Sequence, residues 1–242
     1  MRKETIYFSN CLTTVLIAAI LLTTLSVTTY AEASAVAPAP TPPLSGRGTA
    51  TIDGIFSPGE WTNAGSMQFY INDFNPGPGV LMTLYVMNDR NNLYFALEHA
   101  GGGAGLYYSE GASISLDRNR TRIVPDVGDD QWDLFTGIFP PTGQYVTTWD
   151  DQRITACNSN SFCTATSDTA LGGTLDGSGA IANNGTRTVY EFSHPLNTTD
   201  NANDISLRRG KRIKISGLIT INASPVMLYA QGEIPVVKVK IR

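Results

Sequence analysis

The stretch TLYVMNDRNNLYFALE, residues 83–98, decides the fold class that the sequence predicts. Apolar residues take alternate positions in both of its halves: Leu84, Val86, Leu93, Phe95 and Leu97. Because successive side chains of a strand point to opposite faces, each half offers one apolar face to a core. Residues 88–92 are rich in Asn and Asp, which bond their own backbone and tolerate left-handed conformations. The stretch therefore predicts a β-hairpin.

Similar alternation elsewhere predicts an all-β protein, and no helical period is sustained. Further strands are expected at residues 67–71, 113–116, 134–139, 144–149, 188–192, 211–221 and 235–242. Residues 117–133 are acidic and rich in turn formers, and residues 150–185 are polar, so both predict loops, the second with one or two short strands. Residues 49–242 are expected to form one antiparallel two-sheet β-sandwich, of immunoglobulin or jelly-roll type, with long loops.

The N-terminal residues 1–34 have the pattern of a secretory signal peptide. Arg2 and Lys3 precede a mostly apolar run, and small residues that suit cleavage follow at about positions 31 to 37. An uncleaved anchor is the alternative, and it would be the chain's contact with a membrane. Residues 35–48 are rich in Pro and Ala and predict an extended linker. The protein is therefore expected to be secreted or displayed at the cell surface, or periplasmic in a Gram-negative organism.

The two cysteines of the expected mature chain, Cys157 and Cys163, lie close together in the sequence CNSNSFC. Nearby cysteines in an oxidising compartment pair, so a disulfide is predicted between them. The ring that it closes is short, and we expect it to fix one loop and to add little global stability.

Charge and motifs exclude several function classes. The formal net charge is −4, and basic residues cluster only late in the chain, which argues against a nucleic-acid partner. The sequence has no GxSxG elbow, no HExxH pair and no phosphate-binding glycine loop. A non-catalytic domain is therefore expected, acting alone or as an accessory module of a glycan-degrading system.

Several motifs together carry a family resemblance: TIDGIFSPGEW, LYVMNDRNNLYFALE, SISLDRNR, VGDDQWDL, YEFSHPLN and RIKISGLI. Their order resembles the family 9 carbohydrate-binding module. It is also similar to the wider group of β-sandwich domains that includes DOMON and ethylbenzene-dehydrogenase γ-type haem-binding domains. The resemblance implies a two-sheet sandwich with a ligand site on or beside one sheet.

Carbohydrate, or a cell-surface glycan, is the first ligand that this resemblance implies. Such modules stack aromatic side chains on sugar rings and bond the hydroxyls with amides, Arg and carboxylates. The candidate platforms lie in or beside irregular segments: Trp132, Trp149, Tyr145, Tyr107 and Tyr108. Each tryptophan has core packing as its alternative.

Haem b in an electron-transfer domain is the second possibility, since relatives bind haem through Met with His or Lys. The candidate ligands are His194, His99 and Met87. A third possibility is a structural surface or filament subunit that associates with itself through exposed strand edges.

Calcium is the predicted metal, and its site is the acidic loop that follows the strand at 113–116. Calcium takes six to eight hard oxygen ligands, and alternate acidic or amide residues in a loop supply several. The candidate ligands are Asp117, Asn119, Asp126, Asp129 and Asp130. The alternative is a solvated turn without an ion.

Overall fold

A computed structural model describes residues 44–71, 79–100, 110–118, 125–139, 144–158, 163–223 and 228–242. The predicted signal segment, most of the linker, Tyr107, Tyr108 and Asn119 lie outside the described residues. The strands are β1 (Gly65–Ile71), β2 (Val80–Asn88), β3 (Asn92–Ala100), β4 (Gly111–Leu116), β5 (Asp130–Phe139), β6 (Gln144–Cys157), β7 (Cys163–Ser167), β8 (Ser178–Asn183), β9 (Arg187–Pro195), β10 (Arg212–Ala223) and β11 (Leu228–Lys240). One short 3₁₀ turn, Asp168–Leu171, follows β7.

The strands form two antiparallel sheets that enclose one core. The five-stranded sheet has the order β1-β2-β3-β9-β8, and the six-stranded sheet has the order β11-β10-β4-β5-β6-β7. The apolar side chains that alternate along these strands meet between the sheets, with Phe95, Phe192 and Ile215 among the fully buried ones. The predicted all-β, two-sheet sandwich is confirmed.

The predicted hairpin is formed by β2 and β3 at the centre of the five-stranded sheet. Leu84 lies opposite Leu97 and Val86 lies opposite Phe95, and these four side chains point into the core. In the turn, the Asp89 carboxylate accepts the backbone N–H groups of Asn91 and Asn92, each at 2.7 Å. The turn chemistry that the sequence predicted therefore sets the hairpin register.

The two predicted loops contain more regular structure than expected. Strand β5 already begins at Asp130, and residues 150–185 hold the second half of β6, the 3₁₀ turn and the short strands β7 and β8. The alternation of β5 was hidden because Asp130, a charged residue, occupies an inward position beside Trp132 and Leu134. In the described part of the chain, no helix is long and apolar enough to cross a bilayer.

One sheet edge is partly occupied by the start of the described chain. Leu44 accepts a hydrogen bond from the Lys240 backbone at 2.9 Å and donates one to Lys238 at 2.8 Å, so it extends the sheet beyond β11. This pairing occupies backbone N–H and C=O groups that an edge strand otherwise leaves free to pair with a second chain.

The predicted disulfide joins Cys157 and Cys163 at the end of the β6–β7 hairpin, where the two residues are direct cross-strand partners. The backbone ladder of the same hairpin holds these strands together without the bridge.

We expect the double variant Cys157→Ser, Cys163→Ser to lose only about 2 kcal/mol or less of unfolding free energy, because the closed ring is short. Urea unfolding of the variant and the wild type measures the difference. A loss more than twice as large would mean that the bridge holds more of the fold than this hairpin.

Candidate functional site

A group of charged side chains is buried inside the sandwich, at the end that carries the β2–β3 turn. We call it the interior carboxylate cluster, and it consists of Asp130, Asp151, Asp168, Asp204 and His194, each at most 2% exposed. Strands β5, β6 and β9 bring Asp130, Asp151 and His194 inward. The 3₁₀ turn supplies Asp168, and the segment after β9 supplies Asp204.

His194 links the cluster to the aromatic core. Its Nε2 lies 3.0 Å from Asp151 Oδ2, and its Nδ1 lies 2.8 Å from the Pro195 carbonyl oxygen. Burial lowers the pKa of His194, but the hydrogen bond to Asp151 and the charges of Asp130 and Asp151 raise it to about 9. Both ring nitrogens therefore donate, and the side chain is an imidazolium at neutral pH. The ring stacks on Trp132 with 4.7 Å between centroids.

The carboxylates of the cluster accept few hydrogen bonds. Asp130 Oδ2 accepts the Ile205 N–H at 3.0 Å, and Asp204 Oδ2 accepts the Thr198 hydroxyl. Within the described residues, the buried carboxylate oxygens without a donor are Asp130 Oδ1, Asp151 Oδ1, Asp204 Oδ1 and both oxygens of Asp168. A buried acceptor without a partner is expensive, and an ionised one more so.

The carboxylates of the cluster converge on one another. One oxygen each of Asp151, Asp168 and Asp204 lie mutually within 4.8 Å, and Asp130, His194 and Asp204 form a second such group. Burial, reinforced by the facing carboxylates, raises the pKa of Asp168 to about 8. Burial and the Asp151 charge likewise raise the pKa of Asp130 to about 7, against a lowering by His194. Both shifts oppose ionisation, because these carboxylates face one another in an interior that offers them few donors.

Close loop packing brings Asp168 and Asp204 together. The Gly173 N–H donates to the Asp168 carbonyl at 2.7 Å, and the Thr174 N–H donates to Asp200 Oδ2 at 3.0 Å. A Cβ at Gly173 would collide with the side chains of Asp200 and Asn203. Glycine at this position therefore lets the segment after the 3₁₀ turn lie directly against the segment after β9.

A smaller buried polar group lies at the opposite end of the sandwich. The Tyr190 hydroxyl donates to Glu110 Oε1 at 3.0 Å, and His99 Nε2 lies 3.9 Å from the same oxygen. Burial lowers the pKa of His99 and so favours its neutral form.

The outer surface of the six-stranded sheet carries a row of hydrogen-bonding side chains. We call it the polar face, and it consists of Ser115, Gln131, Asp133, Asp150 and Gln152. Gln131 lies opposite Gln152, and Asp133 lies opposite Asp150, on the central strands β5 and β6. Ser115 donates to Gln131, Gln131 donates to Asp133 at 3.0 Å, and Gln152 donates to Asp150 at 2.8 Å.

An aromatic ring adjoins the polar face. Phe135 follows Asp133 on the same side of β5 and is half-buried. It lies opposite Gly111 of β4, and a Cβ on Gly111 would collide with its ring. The ring therefore leans over the neighbouring strand beside the polar side chains.

Of the two predicted tryptophan platforms, Trp132 belongs to the core and Trp149 is only partly buried. Trp132 is fully buried between His194 and Phe95, so neither face of its indole meets solvent. Trp149 also points inward, where it packs on Phe192 and donates to the Asp176 carbonyl at 3.2 Å. Both occupy inward positions of their strands. The backbone of Tyr145 belongs to β6, but its side chain is outside the described residues, as are Tyr107 and Tyr108.

The predicted haem ligands are not brought together. Met87 lies on the outer face of the five-stranded sheet, in a second apolar cluster with Trp61 and Tyr94. His99 and His194 lie on the inner face, and the position of His99 is six residues along β3 from Leu93, the partner of His194. That separation corresponds to about 20 Å along a strand. No two of these three side chains can share one iron.

The described members of the predicted calcium loop divide between two places. Asp129 closes the loop, since its two carboxylate oxygens accept the backbone N–H groups of Arg118 and Asp126, each at 3.0 Å. Burial raises the pKa of Asp129 to about 6, and the nearby charges of Asp117 and Asp126 also raise it. Asp130, the next residue, points the other way into the interior carboxylate cluster.

Most of that cluster is not evident in the amino-acid sequence. Asp151, Asp168, Asp204 and His194 are far apart in the chain, and only Asp130 stood in the predicted metal set. One usable signal was Asp151, which is an inward position once β6 is extended beyond residue 149.

Comparisons with known proteins come from solved structures. A family 9 carbohydrate-binding module from Caldicellulosiruptor kristjanssonii, in complex with glucose, is similar to this chain at 14% identity and a TM-score of 0.48, over 82% of this chain and 94% of that one. A family 9 module from the same organism, in complex with cellotriose, is similar at 15% identity and a TM-score of 0.48, over 82% and 92%. No protein-family model and no curated protein matches the chain. These solved structures belong to the family that the sequence motifs resemble.

Proposed function

We propose that this protein is an exported, non-catalytic carbohydrate-binding domain whose sugar lies on the polar face of the six-stranded sheet. The observation that carries the proposal is the half-buried Phe135 ring beside a row of preorganised carboxylates and amides. An aromatic ring packs on the C–H face of a sugar, and oriented carboxylates and amides accept from and donate to its hydroxyls.

The pairing of Asp133 with Asp150 supports a ligand at this place. Like charges directly opposite each other in a sheet are destabilising. Burial raises the pKa of Asp133, and the Asp150 charge raises it further, while bonds from Ser113 and Gln131 lower it. Sugar hydroxyls that donate to both carboxylates would relieve this repulsion without a formal charge.

Export is supported by the disulfide, since such bridges persist in oxidising compartments. The signal-like N-terminus agrees with export. Secretion and surface display both satisfy this proposal.

We expect Phe135→Ala to weaken sugar binding at least tenfold, because the apolar contact with the ring is lost. Tenfold corresponds to about 1.4 kcal/mol. A glycan array identifies the sugar with the wild-type protein, and titration calorimetry then measures both proteins with that sugar.

The matched control is Tyr70→Ala, which removes an exposed aromatic side chain, 63% accessible, from the outer face of the other sheet. It should leave the affinity unchanged. The proposal fails if the wild type binds no glycan on the array, or if Tyr70→Ala reduces binding while Phe135→Ala does not.

A further inference from the structure

We infer that the interior carboxylate cluster is a binding site for one divalent cation, with calcium as the best fit and with Asp151, Asp168 and Asp204 as its carboxylate ligands. One oxygen of each lies within 4.8 Å of the others. An ion at calcium–oxygen distances of about 2.3–2.6 Å can contact all three. This site is independent of the proposed sugar surface, which lies on the outside of the sheet.

The burial of Asp168 and its lack of donors distinguish this cluster from an ordinary group of acidic residues. Asp168 is fully buried, and neither of its carboxylate oxygens has a hydrogen-bond partner among the described residues. It nevertheless faces Asp151 and Asp204, which are acceptors like itself. A carboxylate aimed only at other carboxylates lacks the positive or donating group that its burial requires.

The unpaired oxygens favour a shared cation over protons alone. A proton shared between Asp168 and Asp204 still leaves Asp130 Oδ1 and Asp151 Oδ1 without donors. A divalent ion gives the carboxylates that converge here a common positive partner.

The donor set selects a hard ion. The converging ligand atoms of Asp151, Asp168 and Asp204 are all oxygens, which suit calcium and magnesium better than zinc or copper. His194 does not compete as a ligand, because its two ring nitrogens already face Asp151 and the Pro195 carbonyl. Its role is to orient Asp151.

The ion would also join separate parts of the chain. Asp151 belongs to β6, Asp168 to the 3₁₀ turn and Asp204 to the segment after β9. An ion that binds only the folded state stabilises it by mass action. Calcium would therefore fix both of these connecting segments to the sandwich interior.

The test compares the purified protein in calcium and in a chelating buffer, by melting temperature and by titration calorimetry. We expect one calcium per chain and a higher melting temperature in calcium. Terbium should bind at the same place and luminesce on tryptophan excitation, because Trp132 stacks on His194 beside the site. Asp168→Asn should weaken calcium binding at least tenfold.

A reversal of the stability order of variant and wild type between the two buffers distinguishes a calcium ligand from a merely structural residue. In chelator, Asp168→Asn should be at least as stable as the wild type, since it replaces one of three facing acceptors with an amide that can donate; in calcium it should be less stable. Asp126→Asn, in the acidic loop outside the cluster, is the control and should respond to calcium like the wild type. The inference is overturned if the wild type melts identically in both buffers, or if Asp126→Asn loses calcium binding while Asp168→Asn keeps it.

Discussion

Trp132→Ala is expected to destabilise the folded protein by about 3–5 kcal/mol, the range for deletion of a large aromatic side chain from a core. Trp132 is the largest fully buried side chain, and from β5 of the six-stranded sheet it packs on Phe95 and His194 of the five-stranded sheet. Its removal leaves a cavity between the sheets and takes away the surface on which the His194 ring stacks. Urea unfolding in calcium-containing buffer measures the loss without a change of ion occupancy.

Trp132→Phe is the matched variant, and we expect it to lose less than half as much. It keeps an aromatic ring in the core. It also removes the indole N–H of Trp132, a buried donor without an acceptor among the described residues. A buried donor left unpaired is unfavourable, so its removal offsets part of the lost packing. If Trp132→Ala unfolds within 1 kcal/mol of the wild type, the side chain does not hold the two sheets together.

Glu191→Ala is expected to destabilise the protein by about 2–4 kcal/mol, because a buried carboxylate with several charge-assisted bonds is lost. Glu191 lies on the outer face of β9 under the segment that precedes β1. Its Oε2 accepts the N–H groups of Asp53 and Gly54 at 3.1 and 2.8 Å, and its Oε1 accepts the Trp61 indole N–H at 2.9 Å.

Gly54 makes this approach possible. Its φ is +79°, and a Cβ there would collide with Ala182 on β8. The segment therefore follows the sheet closely enough for one carboxylate to accept three donors. Without Glu191, these donors face a sheet surface that offers no replacement side chain at the same position.

The same residue gives a pH dependence with a defined sign. Burial raises the pKa of Glu191 from 4.5 to about 7, against a lowering by the bonds from Trp61, Gly54 and Asp53. The folded state therefore holds this proton more tightly than the unfolded state does. The stability that protonation contributes is complete below pH 4.5 and is lost as the pH rises through 7.

Glu191→Gln separates the anchoring hydrogen bonds from the pH dependence, since it keeps an acceptor and cannot ionise. We expect the wild type to lose stability relative to Glu191→Gln between pH 5 and pH 8, as measured by urea unfolding at each pH. A constant difference over that range would show that Glu191 is ionised throughout, and no difference between Glu191→Ala and the wild type would refute the anchoring role.

The hairpin and the sandwich were predictable because their signals are local. Alternation around Leu84 and Phe95 specifies which face of each strand is buried, and the Asp89 turn specifies how the two strands join. The pairing of Cys157 with Cys163 was equally local, since six positions separate them. In each case the physical cause acts over a few residues.

The candidate sites were not predictable from local signals in this way. Sequence alone determined an all-β chain, its central hairpin and its disulfide, and it marked Asp130 as a candidate metal ligand. Only the tertiary structure decided that Trp132 is core, that Asp129 and Asp130 serve different places, and that Asp151, Asp168 and Asp204 converge. Side chains that follow one another on a strand point to opposite faces, so neighbours in the sequence are separated. Residues distant in the chain meet only where sheet order and loop packing bring them, and that order is a property of the whole fold.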